Sequence, residues 1–218
     1  MGRILEKGKG KAMKTKDFLK KHDACIEGAK WALSIGDDMA DVWNAMVAQD
    51  KREWLIWTAT RPGVFPDTVL RKLACRFIRE TPLHDGRKVW DLLTDKRSRK
   101  AVEVAEAHAE GKATYEELEA AYAAAFAAAD AAYAAASRAA AYDVAYAAAC
   151  NAARVAAYSA ADAAAAHAAY AAEAAAYAAF AAYDAAEDAY VAARVAAKAA
   201  QMRMIDELGN PFKERAGR

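Results

Sequence analysis

Residues 113–136 read ATYEELEAAYAAAFAAADAAYAAA, and a similar composition runs on to Leu208 without one Gly or Pro. Between Ala121 and Ala200, 49 of 80 residues are alanine. Alanine has the highest helix propensity and loses no side-chain entropy on ordering, so the stretch predicts helix almost throughout. It opens on a capping signal: Thr114, with Glu117 three residues on, can satisfy helix-start donors reciprocally. Beyond the cap, Tyr115, Leu118, Tyr122 and Phe126 step by three, four and four, which places them on one helix face.

As a single helix, the tract to Leu208 would be about 140 Å long. A compact chain of this size has a radius of gyration of about 17 Å. The tract is therefore expected to fold back into three or four antiparallel helices, with Ser137, Asn151, Ser159 and Asp184 as local breakers. Alanine lets helices approach at the short end of the usual 8–10 Å interaxial range. The tyrosines are then expected to supply most of the apolar area. Asp162, Glu173 and Asp184 recur every 11 residues, about three turns, and so share a face. With no Thr after Thr114, that stripe reads as a solvated charged face and not as an ice-binding row.

Working back toward the N-terminus, apolar spacing and breakers predict six more helices. The first runs from near Thr15 to Gly36 and the second follows a cap at Asp37 or Asp38. The third covers Trp54–Thr60 before Pro62, and the fourth starts at Asp67 and ends before Pro82. The fifth holds Val89–Leu93, and the sixth runs from Lys96 to Glu110, closed by Gly111. The expected architecture is all-α: a helical N-terminal part (14–112) followed by an alanine-rich antiparallel bundle or short solenoid (113–208). Residues 1–13 read as a flexible basic tail and 209–218 as a C-terminal tail.

Charge is divided. Residues 1–112 carry 23 Lys and Arg against 17 Asp and Glu, and the remainder carry 8 against 13. Such asymmetry more often lets two parts of a protein face each other than it marks a nucleic-acid surface. No basic leader with an apolar core is visible, and the alanine tract is interrupted by charges too often to span a membrane. The expected setting is cytoplasmic. Cys25, Cys75 and Cys150 are odd in number and widely spaced, which argues against a disulfide framework or a zinc site. His22, His84, His108 and His167 share no metal-ligand spacing, and no phosphate-binding glycine loop is present. His84 beside Asp85 reads as a surface-loop histidine, Cys75 as an inert core thiol. These residues give no nucleophile–base pair, so neither an enzyme nor a cofactor is expected.

Aromatic and basic residues are the more informative set. All five tryptophans precede residue 112, among many arginines, and Trp, Tyr and Arg dominate binding hot spots. Three of the five are expected inside, with Trp54 partly exposed. The candidate partner-binding residues are Arg52, Trp54, Trp57, Arg61, Tyr142, Tyr146, Tyr170 and Tyr177.

A longer pattern carries a resemblance. It comprises Trp54, Leu55 and Trp57; Leu70, Leu73, Ala74 and Cys75; Asp85, Gly86, Arg87 and Trp90; then Ala101, Val102, Glu103, Ala105 and Ala107, running to Gly111, Ala113, Thr114 and Glu117. With the alanine-rich tail that follows, this pattern resembles a bacterial family of immunity proteins linked to polymorphic-toxin loci, over roughly Asp23 to Lys198. The resemblance implies a small cytosolic inhibitor that blocks a toxin or effector protein by surface complementarity. Beside it stand a phage-type anti-defence protein, a helical scaffold for a small ligand or nucleotide, and an architectural homo-oligomer. Nucleic-acid and membrane partners are not expected.

Overall fold

Four of the helices in this chain are started by a capping side chain, as the computed structural model shows for residues 13–83, 86–139 and 187–213; side chains are described as far as Ala128 and again from Val195. Among the described residues there are eight α-helices, one 3-10 turn and no β-strand. The protein is all-helical, as the sequence predicts. Packing groups its residues into two compact units, 1–55 with 206–218, and 56–205.

The first unit holds α1 (Thr15–Lys21), α2 (Ile26–Ile35), α3 (Met39–Ala48) and the first turn of α4 (Arg52–Ala59). One helix was expected from Thr15 to Gly36, and the structure breaks it in two. Asp23 takes a left-handed φ of 49°, a conformation that Asp tolerates better than most residues. The Ala24 N–H then reaches back to the Leu19 carbonyl at 3.1 Å. Cys25 restarts the helix, its sulfur accepting from the Gly28 N–H at 3.3 Å. Gly36 follows α2 in extended backbone, so it supplies no left-handed cap. Asp38 starts α3 by accepting from the Ala40 N–H at 2.8 Å.

The core of this unit is built from Phe18, Met39, Val42, Trp43, Met46 and Leu55. Phe212 joins it, edge-on to Phe18 with ring centroids 5.5 Å apart. Asn210 fixes the approach by donating to the Ala40 carbonyl at 2.9 Å and to Asn44 at 3.0 Å. Asn210–Phe212, read from sequence as a terminal tail, is therefore part of a core.

The second unit holds the rest of α4, then α5 (Asp67–Glu80), η1 (Val89–Leu92), α6 (Lys96–Ala109), α7 (Tyr115–Ala139) and most of α8 (Glu187–Asp206). The fifth expected helix is only the 3-10 turn η1. Helices α5 and α6 run parallel: the Cys75 thiol meets the Val102 carbonyl at 3.8 Å and Arg79 meets Glu106, both at an offset of 27 residues. The crossover 81–95 makes this parallel return possible. Leu70, Leu73, Phe77, Ile78, Val89 and Leu93 fill the space between these elements.

Helices α6 and α7 pack on one another, and their short connection, Glu110–Thr114, makes them antiparallel. Gly111 takes φ 72° there, which only glycine adopts without strain. The expected capping box forms: Glu117 N–H donates to Thr114 Oγ1 at 3.2 Å, and Thr114 N–H donates to the Glu117 carboxylate at 2.8 Å.

One expectation about the alanine tract is corrected, and the tyrosines from Tyr133 to Tyr190 lie outside the described side chains. Helix α7 continues through Ser137, so that residue is not a breaker. The buried face of α7 is Leu118, Ala121, Ala125 and Ala128, and α6, packed on both α5 and α7, buries Ala101, Val102, Ala105 and Ala109. The aromatic stripe lies off this seam, with Tyr115 44% and Phe126 41% exposed and the Tyr122 ring 6.0 Å from Phe126. Apart from Leu118, the buried α7 side chains described are methyl groups, which let helices approach closely. Asn151, Ser159 and Asp184 lie outside the described residues, as does residues 1–12 of the basic tail.

Candidate protein-binding surface

A tryptophan can serve as an anchor only where its ring is both held and reachable. Trp43 alone of the five is fully buried. Trp31, Trp54, Trp57 and Trp90 are each half-buried, against the expectation of three inside. The sequence placed Trp54 among the exposed ones correctly.

In the first unit, Trp54 meets Trp31 with ring centroids 5.1 Å apart and planes tilted by 46°. The Lys51 ammonium lies 5.2 Å from the Trp54 ring and 5.9 Å from the Trp31 ring. Trp31 Nε1 donates to the Gln49 side-chain carbonyl at 3.3 Å. Trp54 lies over Gly28 of α2, where a Cβ would meet its indole at an ordinary contact distance of 3.6 Å. Along α2, Ile26 and Leu33 are two turns apart on one face and are 75% and 50% exposed. The result is a fixed pair of indoles under a cation; Ile26 and Leu33 lie on the other side of α2 from Trp31 and Gly28. Each cation–π contact at such an exposed site contributes about 0.5–1 kcal/mol. Arg52, a candidate from sequence, forks onto Asp50, a residue at φ 55° in the turn between α3 and α4.

Trp57 and Arg61 belong to the second unit and are paired with each other. The Arg61 guanidinium carbon lies 4.9 Å from the Trp57 ring, and its Nε donates to the Trp57 carbonyl at 3.0 Å. Burial pushes the Arg61 pKa down from its ordinary value, though an arginine stays charged. Tyr142, Tyr146, Tyr170 and Tyr177 lie outside the described residues, as do His84 and Asp85.

The sequence reading missed a third cluster. The Arg79 guanidinium lies 4.1 Å from the Trp90 ring and that of Arg99 lies 5.4 Å from it. Arg79 is forked onto Glu106 at 2.5 and 2.7 Å. That hydrogen bond raises its pKa above the ordinary value, with partial burial opposing. Arg99 Nε donates to the Leu93 carbonyl at 2.6 Å. The four side chains come from α5, η1 and α6, so no local spacing announces them. Only the 27-residue offset between parallel helices brings Arg79 to Glu106.

The other polar groups have structural settings. Cys75 is buried and Cys25 exposed. His108 Nδ1 donates to the Ala113 carbonyl at 3.0 Å, bracing the α6–α7 turn. Among the described residues, no three His, Cys, Asp or Glu side chains gather where they could hold a metal ion. No helix among them is long and apolar enough to cross a membrane.

The described residues thus define an all-helical protein whose partly exposed tryptophans sit beneath cationic side chains. Comparison with known protein families, with curated proteins and with solved structures finds no match.

Proposed function

We propose that this chain is a non-enzymatic, cytoplasmic protein-binding inhibitor of the immunity type, which neutralises a toxin or effector protein by surface complementarity. The observation that supports this reading is the Trp31–Trp54–Lys51 assembly. Two large rings are held in place by each other and by the Trp31–Gln49 hydrogen bond. Binding through them would freeze few additional rotamers, and this preorganisation is what makes an anchor effective. An interface of ordinary size, about 1,600 Å² in total, is enough for such an inhibitor.

The test is affinity capture of the tagged full chain from its native cell, read by native mass spectrometry, with Trp54→Ala in parallel. The expected result is a stoichiometric protein whose toxicity is suppressed by co-expression of the wild-type chain. Trp54→Ala should weaken that complex by about thirtyfold, the loss typical of a central tryptophan. A clean protein carrying a few hundred extra daltons would replace this reading with a ligand-binding scaffold. A bare homo-oligomer would replace it with an architectural one.

A further inference from the structure

The second unit carries a charged surface that the inhibitor reading does not use. Residues 87–100 contain Arg87, Lys88, Lys96, Arg97, Arg99 and Lys100 against Asp91 and Asp95. All of these except Asp95 are exposed. Arg97 is paired with Asp95 at 2.8 Å. Lys96, Arg99 and Lys100 lie three and four residues apart on α6, so they share a face. That face is opposite to the buried one, which is Ser98, Ala101, Val102 and Ala105. Trp90 stands at its edge, held by Arg79 and Arg99. Glu106 and the Leu93 carbonyl hold those two arginines in turn.

We infer that η1 and the first two turns of α6, centred on Trp90 and Arg99, form a docking surface for an acidic protein segment. Charge complementarity carries the assignment: with Glu103, which lies 4.0 Å from Lys100, six cations stand against three carboxylates. An arginine fork matches a carboxylate in geometry as well as in charge. A nucleic acid fits less well, for two reasons. A base needs an open aromatic face to stack on, and the Trp90 ring already carries two guanidiniums. A phosphate backbone also wants an uninterrupted line of cations, whereas Asp91, Asp95 and Glu103 interleave with the basic residues here.

The experiment uses the full chain labelled with nitrogen-15 and follows its tryptophan indole resonances, with Trp90→Phe identifying one of them. The probes are poly-L-glutamate and oligouridylate of equal charge, titrated at about 50 mM salt, where the Debye length still spans the patch. Poly-L-glutamate should shift the Trp90 resonance and leave that of Trp43 unmoved. The double substitution Lys96→Glu with Lys100→Glu should weaken this binding by about tenfold. The same reversal at Lys16 and Lys20 on α1, which are also exposed, should weaken it by less than twofold. An unmoved Trp90 resonance would overturn the inference. So would equal losses in the two double variants, or tighter binding of the oligouridylate. The identity of any toxin partner does not enter, so this inference and the inhibitor reading can fail separately.

Discussion

Replacing Ala125 with leucine tests whether alanine is the working surface of α7 or only its filler. Ala125 is completely buried, on the face that meets α6. Leucine and alanine differ little in helix propensity, so propensity cannot account for a large effect. The three added carbons have to enter a seam made of methyl groups, and overpacking of this kind costs about 1–3 kcal/mol. Ala120 on the same helix is exposed, and leucine there should change stability by less than about 0.5 kcal/mol. Glycine at 125 probes the opposite direction. It loses about 1 kcal/mol in propensity and about 0.8 kcal/mol for the buried methyl, or roughly 2 kcal/mol together. The assay is urea unfolding followed by far-UV circular dichroism, with the slope of each transition compared to confirm that only its midpoint has moved. Both substitutions at 125 should lower the midpoint and the one at 120 should not. If Ala125→Leu matches Ala120→Leu, the seam is not closely packed and the reasoning fails.

Three other outcomes follow from the same structure. Thr114→Ala removes one arm of the capping box and should cost about 1 kcal/mol in the same urea assay. Ser98 is fully buried and its hydroxyl has no hydrogen-bond partner, so Ser98→Ala should raise stability by about 1 kcal/mol; a loss would show that the hydroxyl is used. Glu80 has its pKa lowered from the ordinary 4.5, chiefly by the hydrogen bond from Arg76. A depressed carboxylate stabilises the fold fully above its unfolded pKa and ceases to as pH falls through the folded value. Glu80→Gln should therefore cost at most about 0.5 kcal/mol at neutral pH, since the pair is solvent-screened. That difference from the wild type should vanish in strongly acidic solution.

Where local chemistry decides, the sequence is legible. The Thr114–Glu117 box, the glycine at 111 and the helix starts after Pro66 and Asp95 can all be read from residues at most four positions apart. The break at Asp23 is harder, because it is made without Gly or Pro. Burial is harder still. A periodic stripe identifies a face but not which face is covered: of Tyr115, Leu118, Tyr122 and Phe126, only Leu118 is buried. The Trp54 site was half visible: its indole is expected to be partly exposed, but nothing local points to Trp31, 23 residues away, as its neighbour. Nothing short-range links Trp90 to Arg79 and Arg99, which depend on the crossover between parallel helices.

The α6–α7 seam has one more property, and it concerns sliding. A row of identical methyl groups offers almost the same contact after a shift of one helical turn, so the seam itself barely distinguishes one alignment from the next. Alignment must then be set where the side chains differ, at Val102 and Leu118, and above all at the connection. There Lys112 N–H donates to the Ala107 carbonyl at 2.8 Å, His108 holds the Ala113 carbonyl, and the capping box fixes the first residue of α7. Lengthening this turn by three or four residues would leave the helices in contact but no longer tell them which methyl belongs opposite which.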